Sequence, residues 1–244
     1  MKKPVKVIIF ILLLCIFVFS ASKVYDGLRE YREGADEKAR LVQYEPEEPS
    51  DESPVLAKNN ARVADLMAKY PDVVGWLRVK DSNISYPFTQ TDNNTDYLRH
   101  TLDKKPLTAG TLFMDCVNSS DFSDFNSIIY GHNMLDGSMF SDLSKFNRSK
   151  SFFDSHRRGW IYFPESTVKL DFFAVFEVQN TDEIIYETMF PSAQDKQEYL
   201  EYLRKNATHW READVNINSR FVSLSTCAGV NTPRRYVLVG VVVE

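Results

Sequence analysis

One cysteine near the end of the chain has a sequence context that suits nucleophilic chemistry. Cys227 ends the β-type run 221–227, and a second such run begins with Arg234 and Arg235. The thiolate is the reactive form of cysteine, and neighbouring cations lower the pKa of a thiol below its free value of about 8.5. A buried structural cysteine is the ordinary alternative, because free cysteine is among the most buried residue types. The remaining motifs have to decide between these two roles.

A cysteine nucleophile needs a proton-transfer partner, which makes the four histidines candidates. His132 follows the apolar run 127–130 after a single glycine, Gly131, and so lies at an edge between strand and loop. The other three histidines have polar or helical surroundings that favour surface or packing roles: His100, His156 and His209. His132 is therefore the strongest candidate for a catalytic histidine.

An arginine beside the thiol would complete such a site. Attack on an amide carbonyl creates an oxyanion, and the N–H donors of a guanidinium can stabilise it. Neighbouring residues of a strand point to opposite faces, so at most one of Arg234 and Arg235 is expected to face Cys227. Alternation does not choose between them, because both faces of 236–243 are apolar or small.

Taken in order, three motifs of the chain resemble those of the sortases. They are Tyr130-Gly131-His132, Leu224-Ser225-Thr226-Cys227 and the run 235–239 that begins with Arg235. The long segment before the cysteine, with a helix predicted over roughly 194–211, resembles class B sortases in particular. The resemblance covers roughly residues 60–244 and implies a mainly β fold: an eight-stranded sortase-type β-barrel with peripheral helices, one of them before the last two strands.

The resemblance implies a membrane-anchored cysteine transpeptidase. Cys227 would attack the carbonyl of the threonine in a C-terminal sorting motif of the Asn-Pro-x-Thr type, forming a thioacyl-enzyme. His132 would protonate the departing amine and later deprotonate a peptidoglycan amino group that releases the protein. Arg235 would hold the substrate and stabilise the oxyanion, because the arginine of the family directly precedes the apolar run of the last strand.

The resemblance also implies substrate contacts. The polar segment 91–98 resembles the groove segment of the family, which makes Asn94 and Leu98 candidates. The other candidates lie beside the thiol or before the predicted helix: Ser225, Thr226, Ile185 and Tyr186. Some class B members carry an acidic residue just after the cysteine, whereas this chain has Ala228-Gly229, so we assign no carboxylate to orient His132. No cofactor and no metal are expected.

The residue pattern by itself also favours a β fold. Short strand-like runs bounded by turn signals follow one another from 73 to 178, which is typical of a closed barrel or a sandwich with helices outside. Before them, apolar residues recur at three and four over 63–70 and predict an amphipathic helix that ends at Pro71. A further helical patch is expected around 139–153.

The N-terminus predicts a membrane segment. Lysines precede an apolar run at 7–19, which is shorter than the roughly 20 residues that span a bilayer comfortably. Small residues at 20–22 would allow cleavage as a signal peptide, whereas Lys6 and Lys23 can lengthen the span of an uncleaved anchor by snorkelling. We favour the anchor, with a single pass, the N-terminus in the cytoplasm and the catalytic domain outside the cell.

Three parts follow from this reading: an anchor at 1–23, a juxtamembrane helix with an acidic, proline-rich linker at 24–58, and a catalytic domain at 59–244. The expected partners are surface proteins with a sorting signal, a cell-wall amine and the membrane. A net charge of −5 gives no case for nucleic acid.

Two other functions remain open on the sequence. One is a secreted cysteine peptidase, in which water resolves the same intermediate, and the other is a non-catalytic, surface-anchored binding domain. The three cysteines do not form a disulfide framework. A bond between Cys116 and Cys227, which would disable the thiol, is also left open.

Overall fold

The computed structural model describes residues 3–47, 61–227 and 232–243 of the chain. Five α-helices lie in these ranges: α1 Lys3–Leu41, α2 Ala61–Lys69, α3 Leu143–Arg148, α4 Lys150–Ser155 and α5 Ala193–Asn206. A short 3-10 helix, Val42–Tyr44, follows α1. The strands are β1 Val73–Val79, β2 Ser85–Thr89, β3 Leu112–Met114, β4 Asn126–Tyr130, β5 Arg158–Tyr162, β6 Thr167–Gln179, β7 His209–Trp210, β8 Phe221–Cys227 and β9 Arg234–Val243.

The strands form a closed barrel. Their order is β5-β1-β2-β3-β4-β8-β9-β6, and a β5–β6 pairing closes the ring of eight, while β7 is an added strand on β6. The pairs β2–β3 and β4–β8 are parallel, and the others are antiparallel. The predicted eight-stranded barrel with peripheral helices is confirmed.

Two hydrophobic clusters bury both faces of β8 and β9. The barrel interior contains Leu224 and Leu238, packed with the rings of Phe88 and Phe172. The outer face is covered by α5, whose Tyr199 packs in a second cluster with residues such as Phe221 and Val237. This double burial explains why the last strand is apolar on both faces, and hence why alternation cannot assign its arginines.

The helix before the last two strands is shorter than predicted. It begins with a capping box between Ser192 and Asp195 and ends at Asn206 rather than near residue 211. His209 and Trp210 instead pair with β6, where the Trp210 ring packs edge-on against Phe173 at 5.1 Å. Tertiary packing of the aromatic ring therefore outweighs the helical pattern. The predicted patch at 139–153 is two short helices, α3 and α4.

The N-terminal segment is one uninterrupted helix across the predicted boundary at residue 23. It is long and apolar enough to cross a membrane by length and composition. Its C-terminal end belongs to the barrel domain, because Leu41 is buried against α2 and β1 and Glu45 pairs with Arg78 at 2.9 Å. Residues 48–60, which include most of the acidic linker, lie outside the described residues, so the domain boundary at 59 stays a prediction.

One aromatic ring in the barrel interior fills the space above two glycines. A Cβ at Gly240 would lie 2.9 Å from Phe172 Cδ1, and a Cβ at Gly159 would lie 2.7 Å from Phe172 Cε2 and 3.0 Å from the carbonyl oxygen of Arg78. Because glycine has no side chain, the ring of Phe172 can lie directly on the strands β5 and β9.

Gly240→Ala is expected to lower the free energy of unfolding by about 1–3 kcal/mol, because the new methyl group overlaps the ring. Phe172→Leu should relieve that overlap, so the double variant should lose less than the sum of the two single losses. Denaturant midpoints of the full chain in detergent measure this. Gly159→Ala is the control: Phe172→Leu should rescue it less, since a backbone oxygen also opposes its methyl group. Strict additivity for Gly240→Ala would contradict the packing.

Candidate active site

An open cleft of about 690 Å³ lies at one end of the barrel. Two neighbouring parallel strands, β4 and β8, end there, and β9 begins there. The loop after β2 supplies one wall and the loop after β6 supplies the other. Chain ends of parallel strands meet at one edge of a sheet, so the topology gathers residues that are far apart in the sequence.

The β4–β8 register brings the cysteine and histidine motifs together. Tyr130 pairs with Ser225, and the N–H of Gly131 donates to the carbonyl oxygen of Ser225 at 3.1 Å. His132 and Cys227 each come two residues after this pair, on strands that run in the same direction. His132 lines the cleft, and the backbone of Cys227 ends β8 beside it. Ala228 and Gly229 lie outside the described residues.

The β8–β9 register distinguishes the two arginines. Arg235 lies directly opposite Cys227. Its side chain lines the cleft, and its guanidinium donates to the carbonyl oxygens of Thr232 and Arg234 at 3.1 and 3.0 Å. Arg234 instead forms an ion pair with Glu177 at 2.6 Å, and the Arg234 side chain is largely exposed. Of the two arginines, Arg235 is thus the one that the structure brings to the cleft.

The imidazole of His132 is held in one orientation. Its Nε2 lies 2.7 Å from the carbonyl oxygen of Leu98, and because a carbonyl only accepts, Nε2 carries the proton in this contact. Burial lowers the pKa of His132 below its usual value, and the nearby positive charge of Arg99 lowers it further, while the bond to Leu98 acts in the opposite direction. The resting imidazole is therefore neutral at neutral pH, with Nδ1 able to accept a proton.

The other histidines lie elsewhere. His100 Nδ1 contacts the carbonyl oxygen of Asp96 at 2.7 Å. His156 stacks on Phe152 with ring centroids 3.7 Å apart, and His209 packs against Phe153. Each of these contacts is a packing or loop contact, and none of the three rings lines the cleft.

Five of the six predicted substrate residues line the cleft: Asn94, Leu98, Ser225, Thr226 and Tyr186. Asn94 Oδ1 accepts from the N–H of Cys116 at 2.8 Å, which fixes its amide. Tyr186 stacks on Tyr130 with centroids 6.4 Å apart, and its hydroxyl lies 2.9 Å from Ser225 Oγ. Ile185 is fully buried in the cluster under α5 and does not line the cleft.

Several residues that line the cleft were not predicted from the sequence, and they belong to two groups. Phe113 and Tyr130 form an aromatic floor, with centroids 5.4 Å apart. The segment 180–183 forms a wall, fixed by Asp182, which accepts from the hydroxyl of Tyr202 on α5. Tyr130 stood in the histidine motif itself, whereas 180–183 has no periodicity or motif that could mark it.

The thiol of Cys116 is not bonded to Cys227. Cys116 is a free, half-buried cysteine. The N–H of Asp115 donates to the carbonyl oxygen of Ile128, which pairs with Ser223 of β8. Cys227 therefore lies about five residues further along the strands, on the order of 16 Å, which is well beyond the reach of a disulfide. Among the described residues, no group of histidine, cysteine and acidic side chains could hold a metal ion.

Comparisons with known proteins agree with this geometry, although no family model matches the chain. A sortase B of Listeria monocytogenes is 37% identical over 163 residues, which are 67% of this chain and 65% of that protein. The crystal structure of sortase B from the type II pilus of Streptococcus pneumoniae is 34% identical, with a TM-score of 0.65 over 74% of this chain and 98% of that one. Sortase B from B. anthracis is 27% identical, with a TM-score of 0.76 over 89% and 99%.

The closed eight-stranded barrel, with a cleft where β4 and β8 end and β9 begins, matches solved sortase structures. The class of the protein is therefore that of the sortases. Within that class, the chain belongs to the class B sortases. The alignment spans slightly less than two thirds of the Listeria relative.

Arg99→Gln is expected to raise the pKa of His132, because it removes a positive charge that opposes the imidazolium. The pKa should stay below its ordinary value, since burial is the larger cause. Side-chain NMR of histidine-labelled protein over a pH series measures it, with His132→Gln to assign the signal. Arg204→Gln, on the exposed face of α5, is the matched control and should leave the titration unchanged. A fall in the pKa of His132 in Arg99→Gln would contradict the assignment.

Proposed function

We propose that the protein is a membrane-anchored transpeptidase that cleaves a sorting motif of the Asn-Pro-x-Thr type after its threonine and joins the new carboxyl end to a peptidoglycan amine. The observation that carries this proposal is the cross-strand pairing of Cys227 with Arg235 beside a cleft that His132 also lines. Cysteine, histidine and arginine are the groups needed for thiol attack, proton transfer and oxyanion stabilisation.

The first half of the reaction acylates the enzyme. The sulfur of Cys227 forms a bond to the threonine carbonyl carbon, and its proton passes to the neutral imidazole of His132. The guanidinium of Arg235 stabilises the oxyanion of the tetrahedral intermediate. As that intermediate collapses, the C–N bond breaks and the imidazolium gives its proton to the departing amine. The product is a thioester between the threonine and Cys227.

The second half reverses these proton transfers with a different amine. An amino group of the cell wall attacks the thioester carbonyl, and His132 accepts the proton that the nitrogen loses. The thiolate leaves and regains a proton, and a new amide bond joins the substrate protein to the acceptor. Transfer rather than hydrolysis requires that the amine reaches the thioester before water does.

The cleft is suited to an extended peptide. Leu98 is 39% exposed and offers an apolar contact on one wall. The stacked rings of Tyr130 and Tyr186 add a flat aromatic surface to the same cleft. The side-chain NH2 group of Asn94, whose oxygen already accepts from Cys116, can donate to the backbone of a segment bound in the same cleft.

The apolar half of α1 supports the location. A helix of this length and composition can hold the domain at the outer face of a membrane, with the lysines of the N-terminus inside. This topology places the cleft where surface proteins and cell-wall amines meet.

Cys227→Ala is expected to abolish both transfer and the thioacyl intermediate, because no nucleophile remains. Incubation with a library of sorting-motif peptides, followed by mass spectrometry of the intact protein, detects the intermediate as an added acyl mass and reports the preferred motif. Acylation of the Cys227→Ala variant at unchanged yield would exclude Cys227 as the nucleophile. Unchanged anchoring in cells would favour the non-catalytic binding domain.

Adding an amine acceptor distinguishes the proposed transpeptidase from a secreted peptidase. A transpeptidase should convert the acylated peptide mainly to the amine adduct as the concentration of a short peptide acceptor rises. A peptidase should give the hydrolysed peptide at every acceptor concentration, since water alone resolves its intermediate. Chromatography of the two products measures the ratio directly.

Arg235→Ala is expected to lower kcat/KM by about a hundredfold or more, the usual loss when an oxyanion donor is removed. Arg234→Ala should change it less than about threefold, because an exposed ion pair contributes little. Steady-state transfer assays on the two variants form a matched pair of neighbouring residues. A larger loss in Arg234→Ala would reassign the oxyanion donor by one position.

A further inference from the structure

We propose that the half of α1 that emerges from the apolar run, residues 24–41, positions His132 and is thereby a working part of the active site. Two independent routes, each a series of contacts, connect this helix to His132. One reaches the loop that follows His132 in the chain, and the other reaches the carbonyl oxygen that binds the imidazole ring. Lys38 and Gly34 are the positioning residues on these routes. The inference rests on the proposed function in that it gives His132 the proton-transfer role.

The first route begins at Lys38. Its ammonium group donates to the hydroxyl of Tyr86 at 3.0 Å and lies 4.5 Å from the centroid of that ring, and it approaches the carbonyl oxygen of Asn83 at 3.4 Å. The same hydroxyl accepts the backbone N–H of Met139 at 3.0 Å. One buried phenol therefore joins the helix to the loop that follows His132.

That loop closes on His132 itself. The N–H of Phe140 donates to the carbonyl oxygen of His132 at 2.9 Å, and Asn133 pairs with Met139 across an isolated bridge. Met139 has a φ of 55°, a left-handed conformation that is unfavourable for a non-glycine residue and persists only where its surroundings hold it. The bond from Met139 to Tyr86 is one of the contacts that hold it, so the loop geometry depends on the phenol that Lys38 contacts.

The second route reaches the imidazole through Leu98. A Cβ at Gly34 would lie 3.9 Å from the Cβ of Ala109, so the helix backbone packs directly on that residue. The next residue, Gly110, has a φ of 59°, and a Cβ there would lie 2.4 Å from the carbonyl oxygen of Leu98. That oxygen is the acceptor for His132 Nε2 at 2.7 Å. The helix thus lies behind the chain segment that fixes the ring.

The C-terminal end of α1 is itself immobilised. Arg40 contacts the hydroxyl of Tyr70 at 2.5 Å and pairs with Asp103 at 3.2 Å, and Leu41 is only 6% exposed. Asp103 belongs to the same segment, 99–110, whose other end packs on Gly34. Because these contacts hold the C-terminal end of the helix independently of Lys38 and Gly34, we expect a change at either residue to act on the loops rather than on the position of that end.

Two variants and two matched controls test the proposal on the full chain in detergent micelles. Lys38→Met removes the ammonium group and keeps most of the stem, and Lys205→Met makes the same change on α5. Gly34→Leu inserts a side chain against Ala109, and Gly27→Leu makes the same change in the same helix at a position where no atom of the described residues lies within 4 Å. Both glycine variants change helix propensity equally, so only the contact with the barrel distinguishes them.

The first readout is the NMR titration of His132, assigned with His132→Gln. Lys38→Met and Gly34→Leu are expected to move it towards the ordinary histidine pKa, because loosened loops admit water, while Lys205→Met and Gly27→Leu leave it in place. The signals of His156 and His209 report whether the rest of the fold is intact. An unchanged His132 titration in both test variants would overturn the proposal, whatever the protein catalyses. If Gly34→Leu fails to fold, Lys38→Met decides alone, since it inserts no new bulk against the barrel.

The second readout is kinetic. A misplaced histidine should lower kcat by about tenfold while KM stays within about twofold, because binding in the cleft does not involve α1. An effect on KM alone would assign the helix to substrate binding and contradict the proposal. If the wild-type chain transfers no peptide at all, the proposed function fails, but the NMR titration still decides whether α1 positions His132.

Discussion

The candidate active site depends on one constraint, the register of β8 between a parallel neighbour, β4, and an antiparallel neighbour, β9. Parallel pairing with β4 places the chain after Tyr130 beside the chain after Ser225. Antiparallel pairing with β9 places Arg235 across from Cys227. A slip of one residue in either pairing would turn every side chain to the other face, and burial of both faces of β8 opposes such a slip strongly. The core that stabilises the barrel therefore also fixes the arrangement of the candidate site.

This constraint shows which parts of the site the sequence could predict. The cysteine and histidine each follow a β-type run, so their motifs and the fold could be read from local pattern and family resemblance together. The choice between Arg234 and Arg235 needed the cross-strand register, because a strand buried on both faces carries no alternation. Ile185 was predicted to contact the substrate, but it is buried under α5. No local sequence pattern reveals that α5 covers this residue.

The contributions of tertiary packing also explain the differences in secondary structure. The helix before the last strands ends early because Trp210 and its neighbour join the edge of β6. The wall at 180–183 is held by the hydrogen bond from Tyr202 of α5 to Asp182 rather than marked by any motif of its own. In both places, a residue distant in the sequence decides the conformation, which is why single-sequence reasoning could not reach it.

The continuity of α1 has a geometric consequence for the proposed topology. A helix of 39 residues without a break is a rod of about 58 Å, and roughly 30 Å of it would stand outside the bilayer. A helix without a hinge fixes both the orientation and the distance of the barrel relative to the membrane. Each residue of the helix adds about 100° of rotation and 1.5 Å of rise. The mouth of the cleft would therefore face one fixed direction around the membrane normal, at one fixed distance from the lipid, instead of sweeping the surroundings on a flexible tether.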